Sequence, residues 1–173
     1  MSRDRDPAGK PRNARPRDAL GRPLDRSESD AGQARVPDDL TITGPDAARL
    51  ADQLLQQGRP FHAHEVLEAA WKSAPPHERD LWQGLAQIAV GLTHARRGNA
   101  RGAAALLRRG SQRVRAYQDG SGSQRAEGQA GSPFGMNIAF FLAAVDDLAA
   151  RIGRDGLDGI PAADLSPGLL AGA

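Results

Sequence analysis

The sequence predicts an all-α fold: an antiparallel helical bundle of two αα-hairpins, stacked side by side as in tetratricopeptide repeats, with a fifth helix that closes the bundle. Apolar residues recur every three or four positions in five segments between residues 44 and 152. Gly, Pro and capping residues separate these segments. The one alternating segment, residues 40–42, is too short to form a sheet.

The first hairpin is bounded by clear start and stop signals. Thr43, followed by Pro and Asp46, has the spacing of a capping box, in which side chains bond the free amides of a helix start. Gly58 is expected to end this first helix. The second helix is predicted over residues 61–72, because Pro75 and Pro76 follow it.

The second hairpin and the closing helix follow the same logic. A third helix is predicted over residues 78–97, with Gly98 as its C-cap. Asn99 is expected to cap a fourth helix over residues 100–118. Ser132 and the proline after it are expected to open the fifth helix. Its apolar face comprises Phe134, Ile138, Phe141, Leu142, Val145 and Leu148.

A faint internal repeat supports the hairpin architecture. Residues 58–63 and 98–103 are offset by 40 positions, and each run pairs a Gly at a helix end with an Ala early in the next helix. Small residues at these places let two antiparallel helices approach closely at their turn. Gly98, Asn99 and Gly102 are therefore predicted to be structural residues of the second turn.

The domain organisation predicted from composition has three parts. Residues 1–35 carry nine basic and six acidic side chains and no Val, Ile or aromatic residue, which predicts a disordered mixed-charge tail. Residues 36–152 form a single helical domain, with a mobile loop at 119–133. Residues 153–173 are expected to be an irregular C-terminal tail. Three of its apolar residues are candidates to dock on the bundle: Leu157, Ile160 and Leu165.

Composition excludes several classes of function. The chain has no cysteine, so it has neither disulfides nor a cysteine nucleophile or metal ligand. No stretch approaches the roughly 18 apolar residues of a membrane span, and the first residues lack the apolar core of a signal peptide. A soluble, cytoplasmic protein is expected. The net charge of +2 does not favour nucleic-acid binding by the whole molecule.

The third helix carries a polar stripe on an otherwise apolar surface. Residues 81–95 contain no charged side chain, yet Gln83, Gln87 and His94 fall on one face, with Asp80 beside them. Buried polar groups need hydrogen-bond partners. The stripe therefore predicts a pocket shared with a neighbouring helix.

The second helix offers the partners. His64 and Glu68 are one turn apart and fall within the apolar arc, between Trp71 and the aromatic residue that starts the helix. Glu65 is expected at the edge of this arc, and His62 is expected to point toward solvent. Facing helices would bring His64 and Glu68 toward the polar stripe.

Two interpretations of this cluster stay open at the level of spacing. In the first, His64, Glu68 and His94 bind Zn, Mn or Fe, with Glu65 as a general base or fourth ligand and Gln83 and Gln87 as surrounding contacts. In the second, the same residues form a hydrogen-bonded network that sets helix register. The His-Glu-x-x-Glu order matches no standard zinc-hydrolase motif.

At these residues the sequence resembles the family called domain of unknown function 309. The family pattern is Phe-x-x-His-Glu-x-x-Glu-x-x-Trp, then Gln-Gly-Leu-x-Gln-x-Ala, then His-x-x-x-Gly-Asn-x-x-Gly-Ala. The matching positions are Phe61, His64, Glu65, Glu68 and Trp71; Gln83, Gly84, Leu85, Gln87 and Ala89; and His94, Gly98, Asn99, Gly102 and Ala103. The resemblance covers residues 46–110. It implies a small all-helical protein, in a group labelled as metal-dependent hydrolases on motif grounds.

The leading hypothesis is therefore a metal-dependent hydrolase with a buried His/Glu/Gln pocket. The alternative is a non-enzymatic helical-repeat module that binds a protein partner or a second copy of itself. A run of arginines without an intervening acid, from Arg96 to Arg115, has two interpretations of its own. It forms either a solvated outer helix face or a weak contact surface for RNA or phosphate. No aromatics for base stacking are interleaved with it, which favours the first.

Overall fold

The computed structural model describes residues 17, 18, 20–24, 41–121 and 133–170. Within these ranges the regular structure is helical, as predicted. Five α-helices are present: α1 (Gly44–Gln56), α2 (Pro60–Ser73), α3 (Arg79–Arg96), α4 (Ala100–Ser121) and α5 (Ile138–Asp155). Short 3₁₀ turns lie at Pro76–Glu78, Pro133–Gly135 and Ala162–Leu165. No described helix has the length and apolar character needed to cross a bilayer.

Each α-helix packs against the next one along the chain. The α1/α2 and α3/α4 hairpins therefore lie in series, and α5 packs on α4. The helices α3 and α4 pack closely, since a Cβ atom on Gly110 would lie 2.7 Å from the carbonyl oxygen of Gly84. Gly91 lies against Leu107 in the same way. The glycines of α3 thus make room for a neighbouring helix.

The helix starts agree with the capping signals. Thr43 caps α1 by accepting from the Asp46 amide, and its hydroxyl also donates to the Asp46 carboxylate at 2.6 Å. These bonds and Arg49 lower the pKa of Asp46. Asn99 caps α4, since its Oδ1 accepts from the Gly102 amide at 2.9 Å.

The predicted start of α5 was wrong by several residues. Phe134 lies outside α5, in a 3₁₀ turn, with a φ of 55°. Its ring packs against Gly44 and against Trp82, at 5.1 Å between centroids. The helix begins only at Ile138, where Asn137 supplies the cap. Tertiary contacts of the aromatic ring thus override the local start signal.

The segment after α5 packs on the bundle through a buried carboxylate. Asp52 of α1 is buried, and its Oδ1 accepts from the Leu169 amide at 2.7 Å and the Leu170 amide at 3.2 Å. Leu169 lies in the core. The three residues proposed to dock pack partly buried against the core: Leu157, Ile160 and Leu165.

Part of the predicted N-terminal tail, of which residues 17, 18 and 20–24 are described, forms a small loop on α2. The Asp18 carboxylate accepts from the Leu20 and Arg22 amides at 2.9 and 2.8 Å. The Arg17 guanidinium lies 5.3 Å from the centre of the Phe61 ring. The rest of the tail lies outside the described residues, as do positions 122–132 of the predicted loop.

Candidate functional site

His64 and Glu68 lie one turn apart on α2, with 3.6 Å between His64 Nε2 and Glu68 Oε2. Lys72 contacts the other Glu68 oxygen at 2.9 Å. The side chains of His64 and Glu68 are 26% and 36% exposed, so a ligand in solvent can reach both. The sequence placed them inside the buried arc, and the structure places them at its edge.

The buried arc of α2 is rotated relative to the prediction. Its fully buried apolar residues are Ala63, Val66, Leu67 and Ala70. Trp71, which guided the prediction, is only partly buried against the core. The core-facing side of α2 is therefore formed by Ala, Val and Leu side chains, and Trp71 lies at its edge.

This rotation corrects the expectation for His62. His62 is 2% exposed, although the sequence placed it toward solvent. Burial lowers its pKa, the charge of Arg59 lowers it further, and the charge of Asp18 opposes both. The His62 Nδ1 atom is buried and has no hydrogen-bond partner in the described part of the chain.

Burial disfavours the charged form of the His64 imidazole. Burial of the ring lowers the pKa of His64, the Glu68 carboxylate raises it, and the Lys72 ammonium lowers it again. The Phe61 ring lies against it, at 6.2 Å between centroids. A neutral imidazole is the form that binds metal ions or accepts a proton. Glu65 follows His64 on the same helix and is partly buried.

The polar stripe of α3 is bound by α4 at its first turns. The Arg113 guanidinium donates to Asp80 Oδ1 at 3.1 Å and to Gln83 Oε1 at 2.6 Å. The sequence predicted that these side chains would meet α2 instead. Gln87 is partly buried, and its Oε1 has no partner among the described residues.

His94 lies in the last turn of α3 and is held by the α3–α4 turn, residues 97–99. The Asn99 amide nitrogen lies 2.8 Å from His94 Nδ1. Because Asn99 Oδ1 accepts from the Gly102 amide, the Asn99 NH₂ group faces the ring and donates to Nδ1. His94 Nδ1 is therefore an acceptor, and the ring proton lies on Nε2. A Cβ on Gly102 would lie 2.6 Å from this Nδ1, which explains the glycine.

The three predicted metal ligands are thus divided between two places. His64 and Glu68 are neighbours on α2, and His94 is bonded within the turn. Among the described residues, no three or more His, Asp and Glu side chains are grouped closely enough to hold a metal ion. The three-ligand set stays a prediction.

The arginine run makes several contacts within the protein. Arg115 pairs with Asp146 of α5, and Arg108 donates to the Ala149 carbonyl at 3.2 Å. Arg96 donates to Ser166 Oγ at 2.7 Å. Arg101 and Arg109 are exposed on α4. Much of this charge therefore joins helices, and the contact surface for RNA or phosphate stays a prediction.

The fold and the motif define a class: a small protein of helical hairpins with a His/Glu motif on the second helix and a Gly-Asn turn after the third. Residues 49–106, about a third of the chain, match the family model described as Domain of unknown function (DUF309). The chain is also similar to the "Uncharacterized protein YpuF" of Bacillus subtilis (strain 168), with 48% identity over 48 residues. That match spans 27% of this chain and 28% of the relative. No solved structure shows a significant match.

Proposed function

We propose that the protein is a metal-dependent hydrolase whose divalent ion is held by His64 and Glu68 of α2. The observation that supports this is the 3.6 Å between His64 Nε2 and Glu68 Oε2. Bonds of about 2.0–2.2 Å from one ion, at a tetrahedral angle, place two such ligand atoms roughly 3.4 Å apart. The pair therefore has the spacing of two ligands of one ion.

The donor set fits Zn, Mn or Fe. A neutral imidazole nitrogen and a carboxylate oxygen are ligands that these ions accept, and two protein ligands leave positions for water. When bound, such an ion acidifies its water, so that hydroxide is available near neutral pH. Glu65 acts in this proposal as the general base. Trp71 of α2 and Gln87 of α3 are partly buried and are candidates to contact the substrate.

His94 is left out of this two-ligand proposal. Its Nδ1 accepts from Asn99, so its Nε2 carries a proton and offers no lone pair. Lys72 counts against the affinity of the site, because its ammonium group occupies Glu68 and repels a cation. The proposal therefore predicts a specific pattern across four variants.

The test is calorimetric titration of tag-free protein with Zn²⁺ and Mn²⁺. His64→Gln and Glu68→Gln should each weaken binding at least tenfold, Lys72→Gln should tighten it, and His94→Gln should leave it unchanged. Absence of binding to the wild type would overturn the proposal. Equal losses in His94→Gln and His64→Gln would restore the three-ligand set. Hydrolysis of ester and phosphoester panels by metal-loaded and stripped protein then tests the reaction.

A second candidate is the non-enzymatic interaction module, with the polar residues purely structural. The contacts of Asp80 and Gln83 with Arg113, and of His94 with Asn99, support it because they fix α3 on α4. This candidate predicts that Gln83→Leu lowers the unfolding midpoint, while added Zn²⁺ or Mn²⁺ leaves it unchanged. Thermal unfolding with and without metal separates the two candidates, since a resident ion raises the midpoint.

A further inference from the structure

The first turn of α2 contains polar groups that lack partners. Arg59 is the N-cap residue of α2, and no side chain in the described ranges caps this helix start. Pro60 follows and has no amide proton, and Ala63 is the residue whose amide bonds the Arg59 carbonyl, at 3.1 Å. The uncapped start of a helix carries partial positive charge from its free amides.

Arg59 adds a full positive charge at the same place. Its Nε and Nη2 atoms are buried and have no acceptor in the described part of the chain. Burial lowers the pKa of this guanidinium. The Nε–H and Nη2–H groups form the edge with which arginine binds a carboxylate or phosphate through two parallel hydrogen bonds. A buried charged edge without a partner is costly, so an anion there would be strongly favoured.

His62 is the second, independent observation. It lies in the same first turn, is 2% exposed, and has a buried Nδ1 without a partner among the described residues. It follows Arg59 by three positions, which is about one helical turn. A neutral imidazole whose Nδ1 carries the proton can donate to an oxyanion. A single turn thus presents the helix amides, a guanidinium edge and an imidazole nitrogen.

We propose that the first turn of α2 binds a doubly charged oxyanion of the phosphate class through Arg59 and His62. A dianion is favoured over a single carboxylate, because the guanidinium and the helix start together carry more than one unit of positive charge. This site lies at the start of α2 and uses neither His64 nor Glu68. It is independent of the proposed metal centre.

The N-terminal loop that carries Asp18 would compete with a bound anion for this site. The charge of Asp18 raises the pKa of His62. Arg17 of the same loop lies over the ring of Phe61, the residue directly before His62. A phosphate ion entering the turn would meet the negative charge of Asp18. Removing that charge should therefore strengthen phosphate binding.

The experiment is calorimetric titration of the full chain with inorganic phosphate in chloride buffer, with methyl phosphate and acetate as parallel ligands. Arg59→Gln should weaken phosphate binding about 10- to 100-fold, the loss expected for a charge-assisted pair of hydrogen bonds. Arg59→Lys should lose most of the affinity as well, because lysine keeps the charge but lacks the planar edge. Asp18→Asn should tighten binding severalfold. Circular dichroism of each variant confirms that it folds.

Arg101→Gln is the matched control, because Arg101 is an exposed arginine in the first turn of α4, the helix that Asn99 caps. It should leave phosphate affinity unchanged. If methyl phosphate binds as tightly as inorganic phosphate, the natural ligand is a phosphomonoester. If only inorganic phosphate binds, the ligand is the free ion. Both outcomes support the site. No saturable binding, equal losses in Arg59→Gln and Arg101→Gln, or acetate binding as tight as phosphate would each overturn it. His64→Gln should not affect phosphate binding. The phosphate site can therefore be tested even if the protein binds no metal.

Discussion

The α1–α2 turn, residues 57–59, and the α3–α4 turn have the same backbone geometry but different side-chain contacts. Gly58 and Gly98 both have positive φ, 70° and 82°, and lie 40 residues apart. In each turn the residue after the glycine donates to the helix before it, Arg59 to Leu54 at 2.8 Å and Asn99 to His94 at 2.9 Å. The repeated sequence therefore encodes a repeated chain reversal.

The side chains then diverge. Asn99 caps α4 and holds His94, whereas Arg59, at the equivalent place, caps nothing. Gly102 makes room for the His94 ring, and the residue 40 positions earlier is the buried His62. One turn is therefore closed by its own side chains, while at the other the buried polar atoms of Arg59 and His62 have no partner among the described residues.

The largest expected loss of stability comes from adding a side-chain atom at Gly102, beside the α3–α4 turn. Gly102→Ala should destabilise the protein by about 2 kcal/mol, because the added Cβ would displace His94 and break the Asn99 contacts. Gly120→Ala is the matched control, since a Cβ there would meet no atom of the described residues within 4 Å. It should stabilise the helix by up to about 1 kcal/mol. Equal effects in urea unfolding would contradict the close contact of His94 with Gly102.

The two turn glycines allow a direct comparison. Gly58→Ala and Gly98→Ala should each cost about 1–2 kcal/mol, because a side chain is strained at positive φ. Gly58→Ala should cost more, since its Cβ would lie 3.2 Å from the Arg96 guanidinium, whereas a Cβ on Gly98 would meet no described residue beyond its chain neighbours within 4 Å. Chemical unfolding of both variants measures the difference. A larger cost at Gly98 would show that the Arg96 side chain moves aside freely in the α1–α2 turn.

Exchanging the caps tests the difference between the turns. Asn99→Ala should lower stability by about 1 kcal/mol through loss of the α4 cap. Arg59→Asn should raise stability by roughly 0.5 kcal/mol, because it introduces a cap at the start of α2. It should also abolish phosphate binding. Thermal unfolding reports the first two effects, and a destabilised Arg59→Asn protein would mean that the start of α2 is already satisfied.

The smallest effect is on the pH dependence of stability. The pKa of His62 is lowered in the folded protein, so the unfolded chain binds its proton more readily. Stability should therefore fall as the pH drops below about 6.5, the ordinary pKa of histidine, toward the folded value. His62→Gln should flatten this decline in chelator-treated samples. Unfolding midpoints measured between pH 5 and 8 test this, and an unchanged slope would show that His62 is accessible to protons in the folded state.

Local chemistry made the helices predictable. Thr43, Gly58, Pro75 and Asn99 act on their immediate neighbours, so the bounds of the first four helices agree within about three residues of those expected from capping and turn signals. Phe134 was misplaced because its ring is fixed by Trp82, which is distant in sequence. Short-range signals cannot report such contacts.

The site was less predictable for the same reason. The polar stripe was recognised from spacing, but its partner Arg113 lies 30 residues beyond Gln83. Nothing in the sequence distinguished Arg113 from the other arginines of α4. The internal repeat did contain a clue to His62, since it aligns this residue with Gly102 at the tight turn. The buried Asp52 had no such clue, because its partners are backbone amides near the end of the chain.

Our central claim is that the two histidines of the family motif have different roles. His94 stabilises the α3–α4 turn, and His64 binds the metal ion. Two-dimensional NMR of the imidazole nitrogens during a Zn²⁺ titration tests this claim most directly. We expect that His94 keeps its proton on Nε2 throughout, while the Nε2 signal of His64 shifts on binding. Loss of the Nε2 proton of His94, with both rings shifting together, would contradict it.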